Sequence, residues 1–369
     1  MRWILLAIML LAPCGAGFAG GAERPIVGAI RWDAWTEWGW WQQFLAPEKW
    51  HSRLPYFAKV TGQDSIEMRE DNQRTIDEEI LMSAEAGLDY WAFDWYHPES
   101  NAGRNHMGDC LELYRKSKYR DKLNYCLILL GGGNEQTGGN HLTPLDKWPE
   151  TVKFLVSCFV EPNYQKVLDD RPLVYLFNIE NLGPYFGGDV EFRRKLHYLR
   201  RKTQEAALGE PYYAVMTFWP ATGVEYLDKY RMDAISAYVN PGGANGKEQS
   251  YSLLAGLNRW YWNEVKRTGR AFIPTVNVGW DYRPLINEHN PDRKEDADWF
   301  IPPTKQELAD HMQAALHFVR DNPETCEARA IILYAWNEFA EGGWLCPTHS
   351  EGTYKLDALA SVLRPGSGR

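Results

Sequence analysis

Two glutamates near the end of the chain, Glu338 and Glu341 in the segment YAWNEFAEGGW, stand three residues apart between Trp336 and Trp344. They close the apolar run ARAIILYAWN, so the pattern is a buried strand that ends by presenting two carboxyls. In a helical conformation an i, i+3 pair has its β-carbons about 5–6 Å apart. Retaining glycosidases hold their two carboxyls about 5–5.5 Å apart around one glycosidic centre. Neighbouring carboxylates also raise one another's proton affinity, which keeps one of them protonated and available as an acid. A plainer reading of the same pair is an acidic helix start favoured by the helix dipole.

The remaining polar residues with chemical potential recur at the ends of other apolar runs. They are Trp32 and Asp33; Asp94, Trp95, Tyr96 and His97; Asn134 and Glu135; Asn178; Tyr238 and Asn240; Trp280, Asp281 and Tyr282; and Asn337 beside Glu338. Gathered at one end of a sheet they would form a bowl of acids, amides and flat rings, with Trp219 and Trp344 adding to it. Rigid rings with a polar edge suit the apolar faces of sugars. Trp40, Trp41 and Trp50 read as sugar platforms or a packed lid, and Arg283 as a group that would recognise an acidic sugar. No nucleophile elbow or P-loop is present, and His106, His141 and His349 lack metal-ligand spacing, so no metal or cofactor is expected.

Elements able to position these residues are visible in the periodicity. Eight short β-rich runs end at Asp33, His97, Glu135, Asn178, Trp219, Asn240, Asp281 and Glu338. Between them lie segments of helical period, among them NQRTIDEEILMSAEAG, where Ile76, Ile80, Met82 and Ala84 predict the buried stripe and Gly87 the stop. LDKWPETVKFLVSCF, DVEFRRKLHYLRRKTQEAAL, SLLAGLNRWYWNEVKR and TKQELADHMQAALHFVRD are others. Eight strands separated by helical crossovers predict a single (β/α)8 TIM barrel with extended βα loops over residues 34–71, 131–147, 241–250 and 281–303. A doubly wound open sheet is the runner-up, but GAIRWD lacks its glycine-rich first turn.

The chain has 369 residues, 44% of them hydrophobic and 24% charged, which is enough to bury a large core. Acidic residues outnumber basic ones 49 to 40, giving a formal charge of −9, so a nucleic-acid partner is excluded and the run EFRRKLHYLRRK reads as a solvated helix face. The 17 Trp and 20 Tyr exceed what a core alone would use. Residues 1–22 have the layout of a secretory signal peptide, an early Arg2, an apolar run and then small residues, leaving 23–369 as one catalytic domain, secreted or periplasmic. The apolar run is too short to span a bilayer. LAPC, ending at Cys14, is a weak lipid-anchor signal, and simple export is favoured over it. The other cysteines, Cys110, Cys126, Cys158, Cys326 and Cys346, have no zinc spacing and allow one or two disulfides.

The segments RPIVGAIRWDAW, AGLDYWAFDWYHPE, RPLVYLFN and above all YAWNEFAEG resemble the glycoside hydrolase family 99-like group, also described as WbsX-type glycosyltransferases. The resemblance implies a (β/α)8 barrel and a retaining endo-α-mannosidase-like reaction on an oligo- or polysaccharide without metal. It assigns Glu338 as the base that deprotonates the sugar 2-hydroxyl, giving a 1,2-anhydro sugar. Glu341 becomes the acid that protonates the leaving oxygen and then activates water, and Asn337 holds a sugar hydroxyl or orients Glu338. Two departures stand out: Phe339 sits where Trp is usual, and LLGGGNEQTGGN keeps Asn134 and Glu135 but lacks the tryptophans of WANExW. A WbsX-type transferase and a non-catalytic carbohydrate-binding protein are the alternatives.

Overall fold

The computed structural model describes residues 24–37, 40–100, 106–131, 143–240, 246–286 and 299–365. The proposed leader at 1–22, Cys14, Asn134, Glu135 and His141 lie outside these residues. All eight apolar runs contribute strands: β1 (Ile26–Arg31), β2 (Tyr90–Trp95), β3 (Asn124–Leu130), β4 (Arg171–Phe177), β5 (Tyr212–Met216), β6 (Ala234–Ser236), β7 in two pieces (Ala271–Phe272 and Thr275–Asn277) and β8 (Ala330–Tyr334). They pair in parallel in the order β7–β6–β5–β4–β3–β2–β1–β8–β7. Strand β7 closes the ring by changing partner at Ile273–Pro274. Its first piece pairs with β6, with Ile273 N–H donating to Ile235 O at 3.0 Å. Its second pairs with β8, with Ile332 N–H donating to Pro274 O at 3.0 Å. Pro274 has no N–H to donate, so a single straight strand could not continue the ladder through it.

A helix follows each strand: α1 (Gln73–Ala86), α2 (Asp109–Lys116), α3 (Trp148–Phe159), α4 (Asp189–Glu205), α5 (Pro220–Tyr230), α6 (Tyr251–Arg267), α7 (Lys305–Asp321) and α8 (Tyr354–Leu363). The stop expected at Gly87 is where α1 ends. Asn72 caps α1 by accepting from Thr75 N–H, Gly87 stops it at φ +90°, and Thr304 with Glu307 forms a reciprocal capping box on α7. The basic run lies on α4, whose buried residues are Phe192, Leu196, Leu199 and Thr203. One stripe differs from expectation. On α1 the buried face is Thr75, Ile76, Glu79, Ile80, Ser83 and Ala86, with Met82 and Ala84 only partly covered, because fully buried Glu79 pairs with a strand cation.

Strand parity decides which side chains can reach the mouth. In β2 all six residues are buried. Tyr90 points into the barrel and shares a hydrogen bond with Tyr175 of β4 at 2.8 Å, closing its lower part, and Asp94 lies on the same side. Trp91 and Phe93 face outward against Tyr114 of α2, and Trp95 stacks on Phe154 of α3 at 5.4 Å. The five cysteines predicted to offer disulfides are all buried free thiols, serving as small apolar fillers.

Candidate active site

Beyond β8 the chain does not enter a helix, as the i, i+3 spacing suggested. Asn337–Glu338 and Gly343–Trp344 pair as the arms of a small antiparallel hairpin with Phe339–Gly342 as its turn. Glu341 N–H donates to Glu338 O at 3.2 Å, so the turn itself brings the two glutamates together. Gly342 takes φ +83°, which a side chain would resist, and a Cβ on Gly343 would lie 2.3 Å from the Tyr334 ring. The two glycines of AEGGW therefore let the turn close over Tyr334.

Two tyrosines hold the two carboxyls. Tyr334 donates to Glu341 Oε2 at 2.6 Å, and Tyr238 donates to Glu338 Oε1 at 2.8 Å. Their ring centroids are 5.5 Å apart, and Trp280 packs on Tyr334 at 5.9 Å. The Tyr238 oxygen also lies 2.6 Å from Asp94 Oδ2. A phenol has one hydrogen and cannot donate to two carboxylates at once. Burial, with the charges of Asp33 and Glu341 in support, pushes the Asp94 carboxyl well above its ordinary range, which favours the arrangement in which Asp94 donates to Tyr238 and Tyr238 to Glu338. Asp94 Oδ1 has no hydrogen-bond partner among the described residues. Burial also holds the Tyr238 and Tyr334 hydroxyls protonated. The result is a chain acid–phenol–carboxylate ending on one glutamate, beside a second glutamate with its own phenol. Phe177 stacks on Tyr238 at 4.5 Å and 6° and carries half-exposed Phe218 outward at 6.0 Å, adding an apolar wall.

Several predicted ligands are committed elsewhere. Asn337 is fully buried: its amide takes Trp32 N–H at 2.8 Å and donates to Trp32 O and Glu70, so it ties the first loop to the hairpin. Asp33 is bound to Arg31 at 3.1 Å, and Arg31 also pairs with Glu70 at 2.9 Å and Glu79 at 2.7 Å, all within the protein. Burial pushes Asp33 up to about 7 and Glu70 well above the carboxylate range, so this knot retains protons besides its guanidinium. Asp33, Glu70 and Cys110 place ligand atoms within 4.8 Å of one another. Arg31 is already ion-paired with both carboxyls, so a metal ion there would face a buried cation.

Trp95 faces helix α3, and Trp336 packs on Trp91 at 5.4 Å in the core. His97 accepts Glu99 N–H at 3.1 Å and is kept neutral by burial, a turn-stabilising role. Asp281 is clamped by Arg53 and by Arg283 at 2.7 Å, while its N–H donates to Glu341 O at 2.7 Å. Trp344 hydrogen-bonds Glu351 at 3.0 Å. Tyr96 accepts from Trp32 Nε1 at 2.8 Å, and Trp41 packs edge-on to Trp32 at 4.7 Å with exposed Trp40 stacked beyond it, so these rings form one layer. Trp280 packs on Tyr282 at 5.2 Å. Of the predicted set, the structure thus gathers Glu338, Glu341, Asp94, Tyr238 and Trp280. It adds Tyr334, which the sequence reading missed; it lies within the apolar run IILYAW, three residues before Asn337.

Solved structures with this fold cover nearly the whole chain. A glycoside hydrolase-like protein matches with TM-score 0.60 at 15% identity over 95% of this chain and 97% of its own. A GH99 endo-alpha-mannosidase from Bacteroides thetaiotaomicron matches with TM-score 0.54 at 14% identity over 90% and 94%. At these identities the likeness is one of fold. No curated protein matches the sequence. The family model described as glycosyltransferase WbsX matches residues 72–359, and the chain belongs to that family.

Proposed function

We propose that the protein is a retaining α-glycosidase, endo-α-mannosidase-like in mechanism, that cleaves a glycan with Glu338 and Glu341. The observation that carries this reading is the pair of glutamates joined by one tight turn, each held by its own tyrosine, at the carboxyl end of the barrel strands where such folds place chemistry. Tyr238, supplied with a proton by Asp94, favours the ionised form of Glu338. That is the state needed to take the proton from a sugar 2-hydroxyl, whose oxygen then attacks its own anomeric carbon to give the 1,2-anhydro sugar. Glu341, oriented by Tyr334, gives its proton to the departing oxygen, then removes one from the water that opens the epoxide at the anomeric carbon. Two inversions yield net retention. The leader-like residues 1–22 support action outside the cytoplasm.

Digestion of a glycan library, with NMR of the first-formed anomer, tests this. Retained configuration is expected. Glu341→Gln should lose cleavage of natural glycans while keeping more activity on an activated aryl glycoside, whose leaving group needs little protonation. Wild-type-like activity in both single Gln variants would overturn the assignment. The second reading, sugar transfer, rests on the family description. Transfer from a nucleotide sugar without net hydrolysis would establish it.

A further inference from the structure

A cavity of about 350 Å³ opens beside the carboxylate turn, with Gly342 and Asp281 in its wall. It is not the space between Tyr238 and Tyr334, yet it is bonded to the pair: the Asp281 N–H that lines it donates to Glu341 O. Among the described residues, four basic side chains, Lys49, Arg53, Arg283 and Lys355, line it against three acids, Asp281, Glu351 and Glu248. That local surplus of positive charge stands in a chain of formal charge −9.

The cations are held in place by rings. Arg283 lies over Trp299 at 4.2 Å, Arg53 over Trp50 at 4.7 Å and Lys355 over Trp344 at 3.9 Å. Tryptophan faces covered in this way do not offer bare platforms for a neutral sugar; they fix guanidinium and ammonium groups in position. Lys355 is only 3% exposed, and its three N–H donors have one carboxylate partner, Glu351 at 3.2 Å. Burial lowers Lys355 to about 8 and Arg53 to about 10, so the cationic forms are under-compensated and a further anion would favour them.

We propose that this cavity is a subsite for a negatively charged sugar unit, which makes the substrate an acidic glycan carrying carboxylate or sulfate groups. The proposal rests on the glycosidase reading of the adjoining pair.

Calorimetric titration of the full chain carrying Glu341→Gln, in which turnover is suppressed, tests it with glucuronate, glucose 6-sulfate and glucose as probes. Saturable binding of one charged probe is expected, weakened at least tenfold by Lys355→Met and by raising salt, with no binding of glucose; the charged probe that binds identifies carboxylate or sulfate. Arg283→Gln, at a side chain 39% exposed, is the second variant should Lys355→Met fail to fold. Equal binding of glucose, or charged-sugar binding indifferent to both substitutions, overturns the proposal. So does binding of UDP or GDP with no response to either charged sugar, which would place a nucleotide diphosphate there. Anion binding without cleavage of any glycan by the wild type would overturn the hydrolase reading and leave the subsite standing. Cleavage of neutral glycans without anion binding would do the reverse.

Discussion

Two clusters of carboxyls lie near the mouth of this barrel, and they are neutralised by different means. In one, Asp33, Glu70 and Glu79 surround the buried guanidinium of Arg31, with Asn337 donating to Glu70. In the other, Asp94, Glu338 and Glu341 face phenols, Tyr238 and Tyr334. A guanidinium cannot give up its proton in water, so carboxyls bound to it are fixed in direction and exchange no proton with it. A phenol orients a carboxylate while leaving proton exchange to the acid beside it. The first arrangement fastens loops; the second can do acid–base work.

Four measurements would break or sharpen that contrast. The largest effect is expected from Glu338→Gln and Glu341→Gln, each lowering kcat by about 10²–10⁴, the range for a general acid or base, with Tm nearly unchanged because Gln keeps an acceptor for the tyrosine. A large fall in Tm would move these residues into the structural class. Next, Arg31→Met should destabilise folding by about 3–5 kcal/mol in denaturant titration, since three buried acids lose their cation. A loss under about 1 kcal/mol would mean the knot is not compensated by charge.

Third, Tyr238→Phe removes the donor to Glu338 and should cost roughly ten- to a hundredfold in kcat/KM, the worth of a hydrogen bond to a charged group. Asp94→Asn, which still has an N–H to offer Tyr238, should cost far less. It should also make the decline of rate at high pH shallower, because the wild type alone loses an Asp94 proton as pH rises, while the decline common to any acid-catalysed step remains. Equal losses in the two variants would rule out the proton chain.

The last effect is a slope. Asp33 is raised from the ordinary value to about 7 in the folded protein, so its protonated form stabilises the fold below about pH 4, and that contribution is lost as pH rises through 7. Stability measured against pH should therefore fall more steeply from 4 to 7 in wild type than in Asp33→Asn. Parallel curves would show that Asp33 ionises as it does in the unfolded chain.

The barrel was legible because its signals are local: apolar runs of strand length, and segments of helical period such as the one that stops at Gly87. The motif glutamates were legible for the same reason, although their turn is a hairpin and not a helix. What sequence could not resolve was direction and partner. Trp95 and Asp94 are adjacent, and strand parity sends one to α3 and the other to Tyr238. Asp33 and Asn337 carry the right groups at strand ends. Their fate depends on Arg31, Glu70 and Trp32, and no local pattern announces that Glu79, on the buried face of a helix, awaits a strand cation 48 residues earlier. Arg53 and Lys355 escaped notice because basic residues are ordinarily solvated.

The hairpin bearing the glutamates is held from the other end of the chain. Trp32 and Trp35 bond Asn337 across separations of 305 and 302 residues, and Arg53 reaches Asp281 and Phe339 across 228 and 286. Such contacts close the longest loops the polypeptide can make and form late in folding. Chemistry is therefore the final thing a newly made chain acquires: nearly every residue must be synthesised and the first loop folded back before the two carboxyls meet their tyrosines in working order. An unfinished chain, however compact, would lack the paired carboxyls.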